Sequence, residues 1–188
     1  MKRFAIITLI LTLLLAVPAL AEEATATAEQ ETIQAFQMDW DDNAISAFVE
    51  AGFEGTMITA TLPDGVQFEM MLPAGFEQRD LTDEEAELGM NFAFANAETG
   101  ASIRIMESVV EACNNLEEMA ATMQADMPIS TLQYALINGQ PAVITTIEEY
   151  NAANVTFDVG EHRFIQFEFT PVTGNDKLVP FFMAAIQF

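Results

Sequence analysis

The chain has 188 residues, 51% of them apolar, and carries 29 acidic against six basic residues for a net charge of −23. That length and apolar content suffice for one sizeable core. The charge repels phosphate backbones and anionic headgroups, which argues against nucleic-acid and peripheral membrane binding and favours cationic partners.

Residues 1–21 combine basic Lys2 and Arg3, an apolar run from Phe4 to Val17, Pro18, and Ala19-Leu20-Ala21 with small residues at both A-x-A positions. This is the pattern of a secretory signal peptide cleaved after Ala21, and the run is too short for a membrane span of about 20 residues. The expected product is exported, secreted or periplasmic, and not inserted in the membrane. Removal of Lys2 and Arg3 leaves four bases against 29 acids, or −25. No cysteine follows the apolar run to accept a lipid. Residues 22–35 are rich in Glu, Ala, Thr and Gln with little to bury, and predict a flexible acidic tether. Residues 36–188 are expected to form a single domain.

From Asp42 onward, Ala44, Ile45, Ala47, Phe48 and Val49 suit a short helix capped by Asp41 or Asp42 and stopped at Gly52. Gly55 to Leu62 and Val66 to Leu72 predict a hairpin around Pro63-Asp64-Gly65, where Pro presets φ and Gly accepts a positive φ. Thr82-Asp83-Glu84-Glu85 signals a brief helix capped at Thr82 and ending near Gly89. Met90, Phe92 and Phe94 alternate with polar or small residues, Glu98-Thr99-Gly100 turns the chain, and Ile103 and Ile105 return on the same face. Asn115, with Glu118 three residues on, caps a helix in which Leu116, Met119, Ala120, Met123 and Met127 share a face until Pro128.

Leu136 to Pro171 is the meander on which the rest is organised. Asn138-Gly139 tolerates positive φ and lets Thr131 to Ile137 pair back onto Ala142 to Ile147. Val155, Phe157 and Val159, then Ile165, Phe167 and Phe169, alternate with polar residues as half-buried strands do. A last helix follows Asn175 or Asp176, with Leu178, Phe181, Phe182 and Ala185 facing inward; Pro180 lies in its first turn or shifts its start to Val179. Ile186 to Phe188 is expected as a closing strand. The predicted class is α+β, a mostly antiparallel sheet of hairpins and a meander with helices packed on it.

Several of these pieces recur together elsewhere. The run Val66-Gln67-Phe68 to Leu72-Pro73-Ala74-Gly75-Phe76, the Ser102-Ile103-Arg104-Ile105 strand, the amphipathic helix, Ile137-Asn138-Gly139-Gln140-Pro141-Ala142, the strand ending Phe169-Thr170-Pro171 and the final Ala185-Ile186-Gln187-Phe188 resemble the layout of the PsbP-like α/β/α sandwich proteins over residues 55–188. The resemblance implies a mostly non-catalytic binding scaffold and no particular ligand.

For chemistry the sequence offers little. No Gly-x-Ser-x-Gly elbow surrounds Ser46, Ser102, Ser108 or Ser130, and no phosphate-cradling loop is present. His162 is the only histidine and sits at a strand start; a transition-metal site draws on more imidazole or thiolate than that. Cys113 is alone, so no intrachain disulfide forms, and between Glu111 and Glu117 it reads as a small buried residue. The one set with ligand spacing is Asp39, Asp41, Asn43 and Glu50, at positions one, three, five and twelve of a calcium loop with the Ile45 carbonyl at seven. Ala44 stands where that loop needs Gly, so a capped helix competes with it. No catalytic residue and no cofactor other than calcium is nominated. Two functions follow: a secreted, non-catalytic interaction or ligand-binding domain whose partner is a cationic protein or envelope component, and an extracellular carboxylate-dependent hydrolase as the alternative.

Overall fold

The computed structural model describes residues 36–38, 50, 52–173 and 178–188. In chain order these give β1 (Phe36–Met38), β2 (Gly55–Thr61), β3 (Gln67–Pro73), β4 (Phe76–Arg79), α1 (Asp83–Glu87), β5 (Met90–Asn96) and β6 (Ser102–Val109). There follow α2 (Leu116–Asp126), β7 (Thr131–Ile137), β8 (Gln140–Ile147), β9 (Ala152–Gly160), β10 (Arg163–Thr170) and α3 (Leu178–Ala185). The expected signal peptide and tether of residues 1–35, and the helix expected over Ala44 to Val49, lie outside the described residues; Gly52, the expected stop of that helix, has φ +85°.

The meander forms as its turns dictate. Asn138 (φ 50°) and Gly139 (φ 81°) both occupy the left-handed region that a two-residue hairpin turn requires. β7, β8, β9 and β10 then pair antiparallel in succession. β4, β5 and β6 make a second antiparallel run. The two runs join because β10 pairs with β6, and β1 adds parallel to β7, giving the order β1-β7-β8-β9-β10-β6-β5-β4. α2 is the crossover between β6 and β7. Asn115 caps it, accepting from Glu118 N at 2.9 Å, and its buried Leu116, Met119, Ala120 and Met123 pack on Val143 and Phe164.

The opposite face carries the larger core. Ile103, Ile105, Val155, Phe157, Ile165, Phe167 and Phe169 are buried there against Phe68 and Met70 of β3 and Val179, Phe182 and Ile186 at the C-terminus. Phe167 sits edge-on to Phe68 (centroids 5.3 Å, 89°) and to Phe157 (5.8 Å, 90°), and its centroid is 5.0 Å from that of Phe182. Each such pair contributes about 0.5–1.5 kcal/mol beyond the area it buries.

This architecture corrects the predicted α+β, α/β/α sandwich. Among the described residues strand accounts for 51% and helix for 18%, and the described part is mostly antiparallel β. The hairpin β2–β3, expected within the main sheet, is a separate two-stranded sheet laid over the phenylalanine face. The reason is packing: Phe68 and Met70 are 1% and 0% exposed, and that burial is gained by stacking on Phe167 rather than by extending the sheet edge. Ile186 to Phe188 makes a single bridge, Glu69 to Gln187, instead of a closing strand. A bulge between Met90 and Phe92 also turns Met90 opposite Met106, off the face that Phe92 and Phe94 share with Ile105 and Ile103.

Candidate functional site

Polar chemistry concentrates on the α2 side of the sheet, in one row across seven strands. Leu132, Thr145, Asn154, Glu168, Arg104, Ala93 and Arg79 are successive cross-strand partners, so their side chains share that face. α1 supplies the missing carboxylate. Thr82 Oγ1 accepts from Glu85 N at 3.2 Å while Glu85 Oε2 accepts from Thr82 N at 3.0 Å, a reciprocal cap that fixes Glu85. Held so, Glu85 meets the Arg79 guanidinium as a fork, Nη1 to Oε2 at 2.7 Å and Nη2 to Oε1 at 2.5 Å. Arg104 Nη1 lies 3.8 Å from Glu85 Oε1, and its Nη2 pairs with Glu168. The Arg79 hydrogen bonds outweigh burial and hold the Glu85 carboxyl at about 2.

A second cluster stands where the β2–β3 turn meets the sheet. Arg163 pairs with Asp64 of that turn, and lies 3.9 Å from Glu107 Oε1 and 3.8 Å from Glu161 Oε2. Its satisfaction is incomplete. Arg163 Nε and Glu107 Oε1 are buried without a hydrogen-bond partner, and burial pushes the Glu107 carboxyl above its ordinary value.

These arrangements limit the chemistry. Arg79 also donates to the Asp80 carbonyl at 3.0 Å, so its fork is filled by the chain itself and is not open to an anion. Glu85 stays ionised far below neutrality and cannot deliver a proton there. Burial holds the Glu107 carboxyl above its ordinary value, and its charged neighbour is Arg163, not the second carboxylate a glycosidase pair needs.

The residues singled out from sequence do not converge. Asp39, Asp41 and Asn43 lie outside the described residues, and Glu50 is helical and exposed. Among the described residues no three His, Cys, Asp or Glu side chains gather as a metal site would. His162, at φ +61°, meets the Cys113 carbonyl through Nδ1 at 2.9 Å, and its own carbonyl accepts from Val110 N at 2.8 Å, so it anchors the loop before α2. Cys113 is 2% exposed and packs with Leu116 and Phe164. No family model matches the chain, and no curated protein matches it. Among the described residues no helix is long and apolar enough to cross a membrane.

The arginine row was missed from sequence. Glu85 carried a signal as the third residue of a capping box, but Arg104 and Glu168 are 64 residues apart and meet only because β6 pairs with β10.

Proposed function

We propose that the chain is an exported, non-catalytic interaction domain whose acidic exterior takes a cationic partner outside the cytoplasm. One observation carries this reading: all three described arginines are engaged by the chain's own carboxylates. Exposed acids outside these ion pairs, among them Glu54, Glu69, Glu77, Glu98 and Glu148, face solvent, and their summed field steers positive partners inward while turning anionic ones away. The signal-peptide pattern of residues 1–21 supports an extracytoplasmic setting. The resemblance to a mostly non-catalytic scaffold family points the same way.

Immobilised protein incubated with envelope and culture-fluid fractions tests it, beside an equally acidic unrelated protein. Basic proteins should be retained at about 0.1 M salt and released toward 1 M, as the Debye length falls from about 10 to 3 Å. Retention no greater than on the control, together with turnover of glycan or peptide substrates by the purified protein, would replace this reading with the hydrolase.

A further inference from the structure

The hairpin β2–β3 has an edge that nothing in the described structure pairs. Leu62 N donates to Val66 O at 2.8 Å and Ala74 N to Glu54 O at 2.7 Å. In an antiparallel ladder the hydrogen-bonded pairs alternate, so Ala60, Ile58 and Thr56 bond to β3 while Thr61, Thr59 and Met57 turn their N–H and C=O groups the other way. Those groups form an open edge about 23 Å long over seven residues.

Natural edges are blunted by charge, proline, bulges or brevity. β4, at one edge of the main sheet, follows the rule with four residues that include Glu77 and Arg79. β2 has none of these devices: Gly-Thr-Met-Ile-Thr-Ala-Thr is uncharged and free of proline, and its register with β3 is unbroken over seven pairs. Beside it runs a groove of about 420 Å³, lined by Ile58, Thr59 and Leu72 of the hairpin and Gln78, Phe92 and Phe94 of the main sheet. A strand added to β2 would point alternate side chains into this apolar floor. Glu54, which directly precedes β2, and Glu69, the cross-strand partner of Thr59, are exposed and outside the described ion pairs. Charge in this position opposes a second copy of the chain and selects a basic occupant.

We propose that the open edge of β2 receives an extended basic segment of a partner protein as a third strand of the hairpin sheet, with apolar side chains on Phe92 and Phe94 and the intervening lysines or arginines drawn by Glu54 and Glu69. Main-chain hydrogen bonds to Met57, Thr59 and Thr61 hold the segment, and the groove and these two glutamates select it. This rests on the cationic-partner reading above and adds the place and shape of the contact.

Thr59→Pro tests it, because it removes an outward N–H while leaving the hydrogen bonds to β3 intact. The probe is a fluorescein-labelled, end-capped peptide of about eight residues alternating valine and lysine, read by anisotropy at low salt. Counterparts alternate valine with glutamate and glycine with lysine. The valine–lysine peptide should bind, weaken about tenfold or more in Thr59→Pro, and stay within about twofold in Thr59→Val, which keeps the N–H. Methylating alternate backbone nitrogens of the peptide should abolish binding with the protein unchanged, which keeps the test decisive if Thr59→Pro unfolds. Equal binding to Thr59→Pro, or to the methylated peptide, overturns the edge. If the glycine–lysine peptide binds as well as the valine–lysine one and ignores Thr59→Pro, the edge fails while the acidic-surface reading stands; if neither basic peptide binds, both fail. A dimer of the unmodified protein that Thr59→Pro returns to monomer would assign the edge to a second copy and overturn the basic partner.

Discussion

On one face of the eight-stranded sheet Ile103, Ile105, Val155, Phe157, Ile165, Phe167 and Phe169 stand buried beneath the hairpin and α3, while on the other the same strands present Arg104, Thr145, Asn154, Thr156 and Glu168. Apolar burial is non-directional, so the first face needs only shape and volume. The second needs partners, and it finds them unevenly. At the α1 end Glu85 is gripped by Arg79 and approached by Arg104; farther along the row Thr145 Oγ1 and Asn154 Oδ1 are buried with no hydrogen-bond partner. The difference teaches that burial and satisfaction are separate achievements in one sheet. Apolar packing supplies the stability, and the polar row sets the pH dependence and carries an unmet cost.

Phe167→Ala attacks the apolar face at its centre. The side chain is 0% exposed and touches rings from β3, β9 and α3, so its removal should cost about 3–5 kcal/mol in urea unfolding. A loss under about 1 kcal/mol would mean that the hairpin and α3 are not held through this ring, and the contrast between the faces would collapse.

Glu85→Gln probes the satisfied end of the polar row. Its partners Arg79 and Arg104 are 34% and 27% exposed, which screens them, so the expected loss at neutral pH is about 2 kcal/mol. The pH dependence has a definite sign. The folded-state value of about 2 lies below the ordinary 4.5, so the stabilisation is fully present above 4.5 and is lost as the pH falls toward 2. The gap between the parent and Glu85→Gln should close across that window. Glu107 contributes with the opposite sign, because burial raises its carboxyl and its effect favours the fold as the pH falls. A gap that persists at pH 2 would show that Glu85 acts through shape rather than charge.

Local signals carried the parts of the fold that depend on local geometry. Asn138-Gly139, Pro63-Asp64-Gly65, the Thr82–Glu85 box and the Asn115 cap each fix a turn or a helix end within a few residues, and the described structure has each in place. The layer architecture was not legible. Nothing near Gly55 to Leu72 says that its hairpin stacks on the sheet instead of joining it, because that choice depends on Phe167, about a hundred residues away in sequence. Alternation also misjudged the polar positions. Thr156 follows the pattern of a solvent-facing residue yet is 0% exposed, covered by Met123 of α2, which lies within 3.9 Å of its hydroxyl. The binding edge of β2 was visible as a strand but not as an edge, since edges exist only once the pairing of every other strand is known.

Thr145 offers the smallest effect and the one whose sign separates burial from satisfaction most sharply. Its residue is 0% exposed, its Oγ1 has no partner, and its neighbours across the strands are Leu132 and Asn154. Burying a hydroxyl without a hydrogen bond costs free energy, and valine keeps the branched shape while removing that group. Thr145→Val should therefore raise the urea midpoint, a gain of up to about 1 kcal/mol, with an unchanged slope. A stabilised variant would fix the middle of the polar row as a place where apolar forces bury a polar group against its preference. A loss of about 1 kcal/mol instead would mean that a buried water completes the hydroxyl, and the row would then be a connected network from Thr145 to Arg79.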